Sequence, residues 1–295
     1  MVSVIIPTYG DPFLQKTIDS LLTSAAGTIE IIPVLDGYTP QPAIRSHPRV
    51  KPVPLPKNTG LRGAINAGLA ASRGKYIMKC DAHCIFAPRF DTIMSEYCDE
   101  NWLMIPRRFS LRETTWQPNG HRPVKDYHYL AYPTHSALYG TNISNQDWPE
   151  QTARKSNPKY DIDDTMTFQG SCWFAHKNYF MKRVGFLDNR QETYGPWADD
   201  VQEIGLKYWL GGGANKVIKK TWYAHLSKRS HHYKSGLFSR QYKINPAAQL
   251  GHTWSTRHWL RNEEPNMIHP FSWLVEKFWP VPTWPEDRRL WMLKE

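Results

Sequence analysis

The sequence predicts an α/β fold with a mostly parallel central sheet flanked by helices. Three observations carry this. Short apolar runs recur through the first hundred residues, segments with helical spacing lie between them, and Asp36 and Asp81 each close an apolar run. Alternation of that kind builds a parallel sheet whose ligands gather at the carboxyl ends of the strands.

Residues 2–7 read as the first strand, followed by a turn at Gly10, Asp11 and Pro12. From 13 to 24 the apolar residues Phe13, Ile18, Leu21 and Leu22 recur at helical spacing. Residues 29–35 form a second buried strand running into Asp36 and Gly37, and 50–55 a short third one. Gly60, Gly63 and Gly68 mark 58–72 as a loop feeding a helix. Residues 75–80 are the next strand, and 90–99 the helix after it. No internal repeat or low-complexity tract interrupts the pattern.

At 295 residues the chain fits one large domain or two closely packed halves. Its 40% apolar content never forms a run long enough to span a bilayer. The start lacks a basic leader and a small-residue cleavage site, so it reads as a strand. Cys80, Cys84, Cys98 and Cys172 show no paired spacing, which points to buried thiols and a reduced, cytoplasmic setting (the host cytoplasm for a viral chain). The net charge of +10 is localised: Lys216 to Arg261 holds ten Lys or Arg and no acid, and elsewhere the signs balance at 27 each. Aromatic residues and five histidines are interleaved there, a composition that neutralises phosphates and stacks on bases. A solvated loop closing over an anionic nucleotide would need the same cations.

The strand ending at Cys80 runs into Asp81 and His83. Positions i and i+2 of an extended segment project to one side, so a carboxylate and an imidazole face the same point. That pair suits Mn²⁺ or a similar divalent ion.

In order along the chain, the strand 4–9, the strand end at Asp36, the loop from Asn58 to Gly60, the strand 74–81, the segment 168–174, the acidic segment 193–200 and Tyr223-Ala224-His225 resemble a GT-A fold glycosyltransferase of the family-2 type. The Asp-x-His motif and the later histidine are similar to those of polypeptide GalNAc-transferases. The resemblance covers roughly residues 1–226. It implies a Rossmann-like GT-A domain with a nucleotide-sugar-binding half at 1–105 and an acceptor half at 106–226, then a basic, aromatic lid and C-terminal extension at 227–295.

Carried onto this sequence, the resemblance implies that Asp81, His83 and His225 hold Mn²⁺ (or Mg²⁺). It implies a UDP-sugar donor bound by Pro7, Thr8, Tyr9, Asp36, Asn58, Gly60, Arg62, Asp81, Trp197 and Lys228. Asp200 would be the base that takes the acceptor's proton, and Asp199 would orient it or hold a sugar hydroxyl. Capping of the following helix is the plain alternative for both acids. GalNAc-transferases carry Glu-Asn at this spot, and the departure favours inversion.

The basic aromatic tract suggests a polyanionic acceptor. The leading expectation is DNA with hydroxymethylated pyrimidines of the kind bacteriophages make, with the base extruded for reaction. Lys234, Arg240, Lys243, Arg257 and Arg261 would grip phosphates, as would Arg229 with His231 and His232. Trp173, Trp254 and Trp259 would stack, beside His258. A competing expectation is synthesis of surface polysaccharide or lipid-linked glycan, without a transmembrane segment but with peripheral membrane contact through Trp273, Phe278, Trp279, Trp284 and Trp291, although Pro270, Pro280, Pro282 and Pro285 break that tail and favour its wrapping back on the catalytic domain. From another class comes a non-catalytic nucleic-acid-binding protein on a transferase fold.

Overall fold

The apolar strands at the start of the chain are buried on both faces and therefore need cover on both. The computed structural model, which describes residues 1–137, 139–227 and 246–292, supplies it with helices. Strand β1 (Val2–Thr8) pairs in parallel with β2 (Ile29–Asp36), which pairs in parallel with β3 (Val53–Leu55). Helix α1 (Leu14–Ser24) joins β1 to β2, and α2 (Gly60–Ala71) joins β3 to β4 (Tyr76–Cys80). β4 lies parallel on the other side of β1. Successive side chains of β1 divide as strand geometry requires: Val4 and Ile6 pack with Leu14, Ile18 and Leu21 of α1, and Ile5 packs with Ile65 and Leu69 of α2.

The second half completes the sheet. After β5 (Cys84–Phe86) and α3 (Phe90–Tyr97) come the long strand β6 (Trp102–Arg112) and a short β7 (Gln117–Pro118). Small strands β8 (His128–Leu130) and β11 (Asn145–Asp147) pair off the main sheet, as do β9 (Thr134–Ser136) and β10 (Gly140–Asn142). Helix α4 (Pro149–Arg154), β12 (Ile162–Asp164), β13 (Cys172–His176), α5 (Lys177–Arg183), α6 (Asp200–Leu210) and β14 (Ala214–Leu226) follow. Across the sheet the order is β12-β14-β6-β13-β4-β1-β2-β3, with β5 added on β14. β14 runs parallel to β6, whereas β13 is antiparallel to both β4 and β6.

The C-terminal helices α7 (Pro246–Leu260) and α8 (Phe271–Phe278) fold back onto this framework. Trp259, Phe271, Leu274, Trp284 and Trp291 join Trp209, Leu210 and Val217 in one buried cluster, with Trp273, Phe278 and Trp279 packed against it. The proline-broken tail thus wraps back on the catalytic domain, the course its prolines favour over a membrane-facing helix. The tail aromatics cover apolar surface of α6 and β14 instead of facing outward. Among the described residues no helix is long and apolar enough to cross a membrane.

Burial also removes two expected acceptor contacts. Trp173 is fully buried and stacks on Phe180 with centroids 5.1 Å apart, and Trp259 is fully buried in the C-terminal cluster. Neither ring can meet a base. Truncating a core tryptophan of this kind costs about 3–5 kcal/mol.

Candidate metal and acid site

Two strand pairings bring the sequence-distant ligands together. β4 ends at Cys80, so Asp81 lies at a strand end, where its amide bonds to the Ser171 carbonyl at the start of β13. β5 pairs antiparallel with β14 in a register that sets His225 opposite Cys84, the residue after His83. The result is a cluster in which one ligand atom each from Asp81, His83 and His225 lies within 4.8 Å of the others. His225 Nε2 is 3.1 Å from Asp81 Oδ2 and 3.0 Å from His83 Nε2, and His83 Nε2 is 3.8 Å from Asp81 Oδ2. Adjacent ligands of an octahedral ion with bonds of about 2.1 Å are separated by roughly 3.0 Å. Carboxylate plus imidazole at these spacings fits a Mn²⁺-like cation.

The surrounding residues prepare the cluster. His83 Nδ1 donates to Asp11 Oδ2 at 2.8 Å, which fixes the proton on Nδ1 and leaves Nε2 directed at the cluster. Asp11 read as a turn residue in the sequence; its carboxylate orients a candidate ligand. Lys79 Nζ donates to Asp81 Oδ1 and to the Gly170 carbonyl, both at 2.6 Å. Burial opposes ionisation of Asp81, yet Lys79, His225 and His83 hold its pKa well below the usual carboxylate range. Burial also acts against the charge on Lys79, but Asp81 and Asp200 outweigh it and raise the lysine pKa. Burial pushes His225 down to about 3, which keeps its imidazole neutral, the form a metal requires. Arg108 Nη2 lies 3.2 Å from His225 Nδ1. Lys79 is the one charged residue within β4, a signal of its role that the sequence carries.

The acid pair sits at the start of α6. Asp199 occupies the N-cap position with φ 49° and ψ 37°, and its side chain makes no capping bond. Its Oδ1 instead accepts from His252 Nδ1 at 2.6 Å. Asp200 has a buried Oδ2 with no hydrogen-bond partner among the described residues. Burial raises its pKa, with Asp81 and Asp199 adding to the rise against Lys79 and Arg62. An orphaned, hard-to-ionise carboxylate oxygen calls for a functional explanation. The neighbouring Trp197 is exposed.

One donor-binding expectation changes, and a second residue gains a structural role. Arg62 is fully buried. Its guanidinium pairs with Glu203 and donates to the Asp188 and Ala198 carbonyls at 2.6 Å each. It therefore ties α2 to the acid-bearing loop and cannot reach a nucleotide. Both carboxylate oxygens of Asp36 are engaged at the start of α2. Oδ1 accepts from the Thr59 amide (2.6 Å) and hydroxyl (2.8 Å), and Oδ2 from the Gly60 amide (3.0 Å). Asp36 thus anchors the start of α2. Gly60 has φ 80°, and a Cβ there would come within 2.6 Å of Pro196, so its role is also the close approach of these loops.

Of the other expected residues, Pro7 is half-buried, Asn58 is exposed, and Tyr9 is exposed beside Tyr38 with ring centroids 6.1 Å apart. Thr8 is buried and hydrogen-bonds the Tyr38 hydroxyl at 3.0 Å. Arg257 and Arg261 are exposed on and just after α7, Trp254 is half-buried, and His258 is buried against Trp254. Lys228, Arg229, His231, His232, Lys234, Arg240 and Lys243 lie outside the described residues.

The sheet, parallel through β4-β1-β2-β3, with an Asp-His-His cluster at the strand end, has the form of a GT-A type domain. The chain belongs to glycosyl transferase family 2, whose family model matches residues 3–183. It is similar to the uncharacterized glycosyltransferase EpsJ of Bacillus subtilis (strain 168), at 34% identity over 113 residues, 36% of this chain and 32% of that protein. It is also similar to polypeptide N-acetylgalactosaminyltransferase 5 of Caenorhabditis elegans, at 23% identity over 195 residues, 63% of this chain and 28% of that one. The chain thus spans about a third of the length of the curated relatives it matches. Among solved structures, its fold matches GalNAc-T7 crystallised with UDP, GalNAc and Mn²⁺, with a TM-score of 0.64 and 16% identity, over 94% of this chain and 57% of that one.

Proposed function

We propose that this chain is a divalent-metal-dependent glycosyltransferase that moves a sugar from a UDP-sugar to a hydroxyl acceptor with inversion. The observation that carries the reading is the convergence of the neighbouring Asp81 and His83 with the distant His225, their ligand atoms 3.0, 3.1 and 3.8 Å apart. The UDP and Mn²⁺ bound to GalNAc-T7, a protein of the same fold, support the choice of donor and ion.

Asp81, His83 and His225 would hold the ion, which when bound supplies Lewis-acid charge to the departing diphosphate. Asp11 keeps the His83 proton on Nδ1, so Nε2 stays available. Tyr9, with Tyr38 beside it, offers an aromatic surface near the β1 end for the nucleotide. Asp200 accepts the acceptor hydroxyl proton as the new oxygen–carbon bond forms and the anomeric carbon–phosphate oxygen bond breaks. UDP leaves with the electron pair. A single base and a direct displacement give inversion. Trp197, exposed beside the acids, offers a stacking face for a sugar.

For the acceptor, the cationic excess between Lys216 and Arg261 and the exposed Arg257 and Arg261 favour a polyanion, with hydroxymethylated DNA as the specific proposal. The test is mass spectrometry of hydroxymethylated and plain DNA after incubation with a panel of UDP-sugars and Mn²⁺, alongside an assay of UDP release. A sugar-sized mass gain on hydroxymethylated DNA alone supports the whole proposal. Mn²⁺-dependent UDP release with no gain on either DNA keeps the transferase and removes the acceptor. No UDP release from any donor removes the transferase reading.

A further inference from the structure

We propose that His252 is a positioning residue for the acid pair, so that the C-terminal extension completes the transfer site; this rests on the transferase reading above. Asp199 adopts a left-handed conformation, which is strained for a non-glycine residue, and its side chain is not used to cap α6. The turn must be held by something else. The His252 Nδ1–Asp199 Oδ1 bond, 2.6 Å long between side chains 14% and 2% exposed, is that restraint. Arg62 holds the adjacent Ala198 carbonyl from the α2 side. The loop is therefore gripped from two elements, one of which, α7, lies outside the family-model match.

The docking of α7 is specific to this grip. A Cβ at Gly251 would come 2.3 Å from the Tyr194 carbonyl oxygen and 2.8 Å from the Ala198 Cβ, so only glycine lets the helix approach this closely. The Thr253 hydroxyl accepts from the Thr141 amide at 3.2 Å, and the Gln249 side chain donates to the Ala137 carbonyl. The Trp254 ring meets Tyr194 edge-on at 4.8 Å, and the Tyr139 ring meets the His252 imidazole edge-on at 5.7 Å. These contacts fix the imidazole over Asp199. Asp200 is the first residue of α6, and the backbone of Asp199 sets its direction. Loss of the His252 bond frees that turn and misaligns the base.

The test measures UDP release from UDP-sugars with Mn²⁺ in wild type, His252→Phe, which keeps a ring against Tyr139 but has no donor, and His252→Asn, which keeps a donor near Nδ1. His252→Phe is expected to lower kcat about tenfold to a hundredfold with KM for the sugar nucleotide unchanged, and His252→Asn to recover most of it. Equal kcat for the phenylalanine variant and wild type, at equal melting temperature, overturns the proposal, as does an asparagine variant no better than the phenylalanine one. Spectra of protein carrying ¹⁵N-histidine decide the bond itself without turnover. A downfield imidazole N–H signal lost in both His252→Phe and Asp199→Ala is expected, and its absence in wild type overturns the proposal. If wild type releases no UDP, the transferase reading fails on its own account, and the spectra still decide whether His252 holds Asp199.

Discussion

The metal cluster and the acid turn are built by opposite means. Asp81 and His83 follow a buried strand and His225 lies near the end of another, so sheet register alone brings them together. Asp199 and Asp200 form the turn into α6, whose shape depends on side chains reaching in from afar: Arg62 from α2, itself paired with Glu203, and His252 from α7. One corner is set by backbone pairing and the other by long-range polar contacts. The first should tolerate changes around it, and the second should not.

The sharpest way to break this contrast is Asp81→Ala, which removes one ligand. Loss of several kcal/mol of leaving-group stabilisation predicts a roughly thousandfold fall in UDP release, measured at saturating donor and Mn²⁺. Asp200→Asn should cut turnover by about several hundredfold while leaving Mn²⁺ and UDP binding by calorimetry intact. Its pKa is raised by burial and the base must be ionised, so wild-type kcat should fall as pH drops through a value above the ordinary carboxylate range. A kcat that stays flat down to that range would remove Asp200 as the base.

Arg62→Met tests the acid side through stability. It leaves the buried Glu203 with Lys207 as its remaining cation, and the expected loss is about 3 kcal/mol by urea denaturation. A loss below about 1 kcal/mol would show that the ion pair does not hold the loop. The smallest expected effect is at Asp11. Asp11→Ala frees the His83 tautomer and should weaken Mn²⁺ binding about tenfold to a hundredfold with little change in melting temperature.

The same contrast explains what the sequence revealed. Strands 2–7, 29–35 and 75–80 were readable because two-sided burial demands continuous apolar runs, and the short spacing of Asp81 and His83 was visible as a same-side pair. The join to His225 came only through family resemblance, because register between β5 and β14 leaves no local mark. Arg62 looked like a nucleotide-facing cation because its partner Glu203 lies 141 positions away. Trp173 and Trp259 looked like stacking platforms for a related reason: an aromatic side chain suits a core and a binding face equally well, and only packing tells them apart. His252 lay in a tract whose cations drew attention to phosphate, although one of its histidines serves an aspartate.

The most direct test of the account is titration of the purified protein with Mn²⁺, followed by electron paramagnetic resonance, in wild type and His225→Ala. Wild type should bind one Mn²⁺ tightly per chain, and His225→Ala should lose that site. Equal Mn²⁺ binding by both would contradict this expectation.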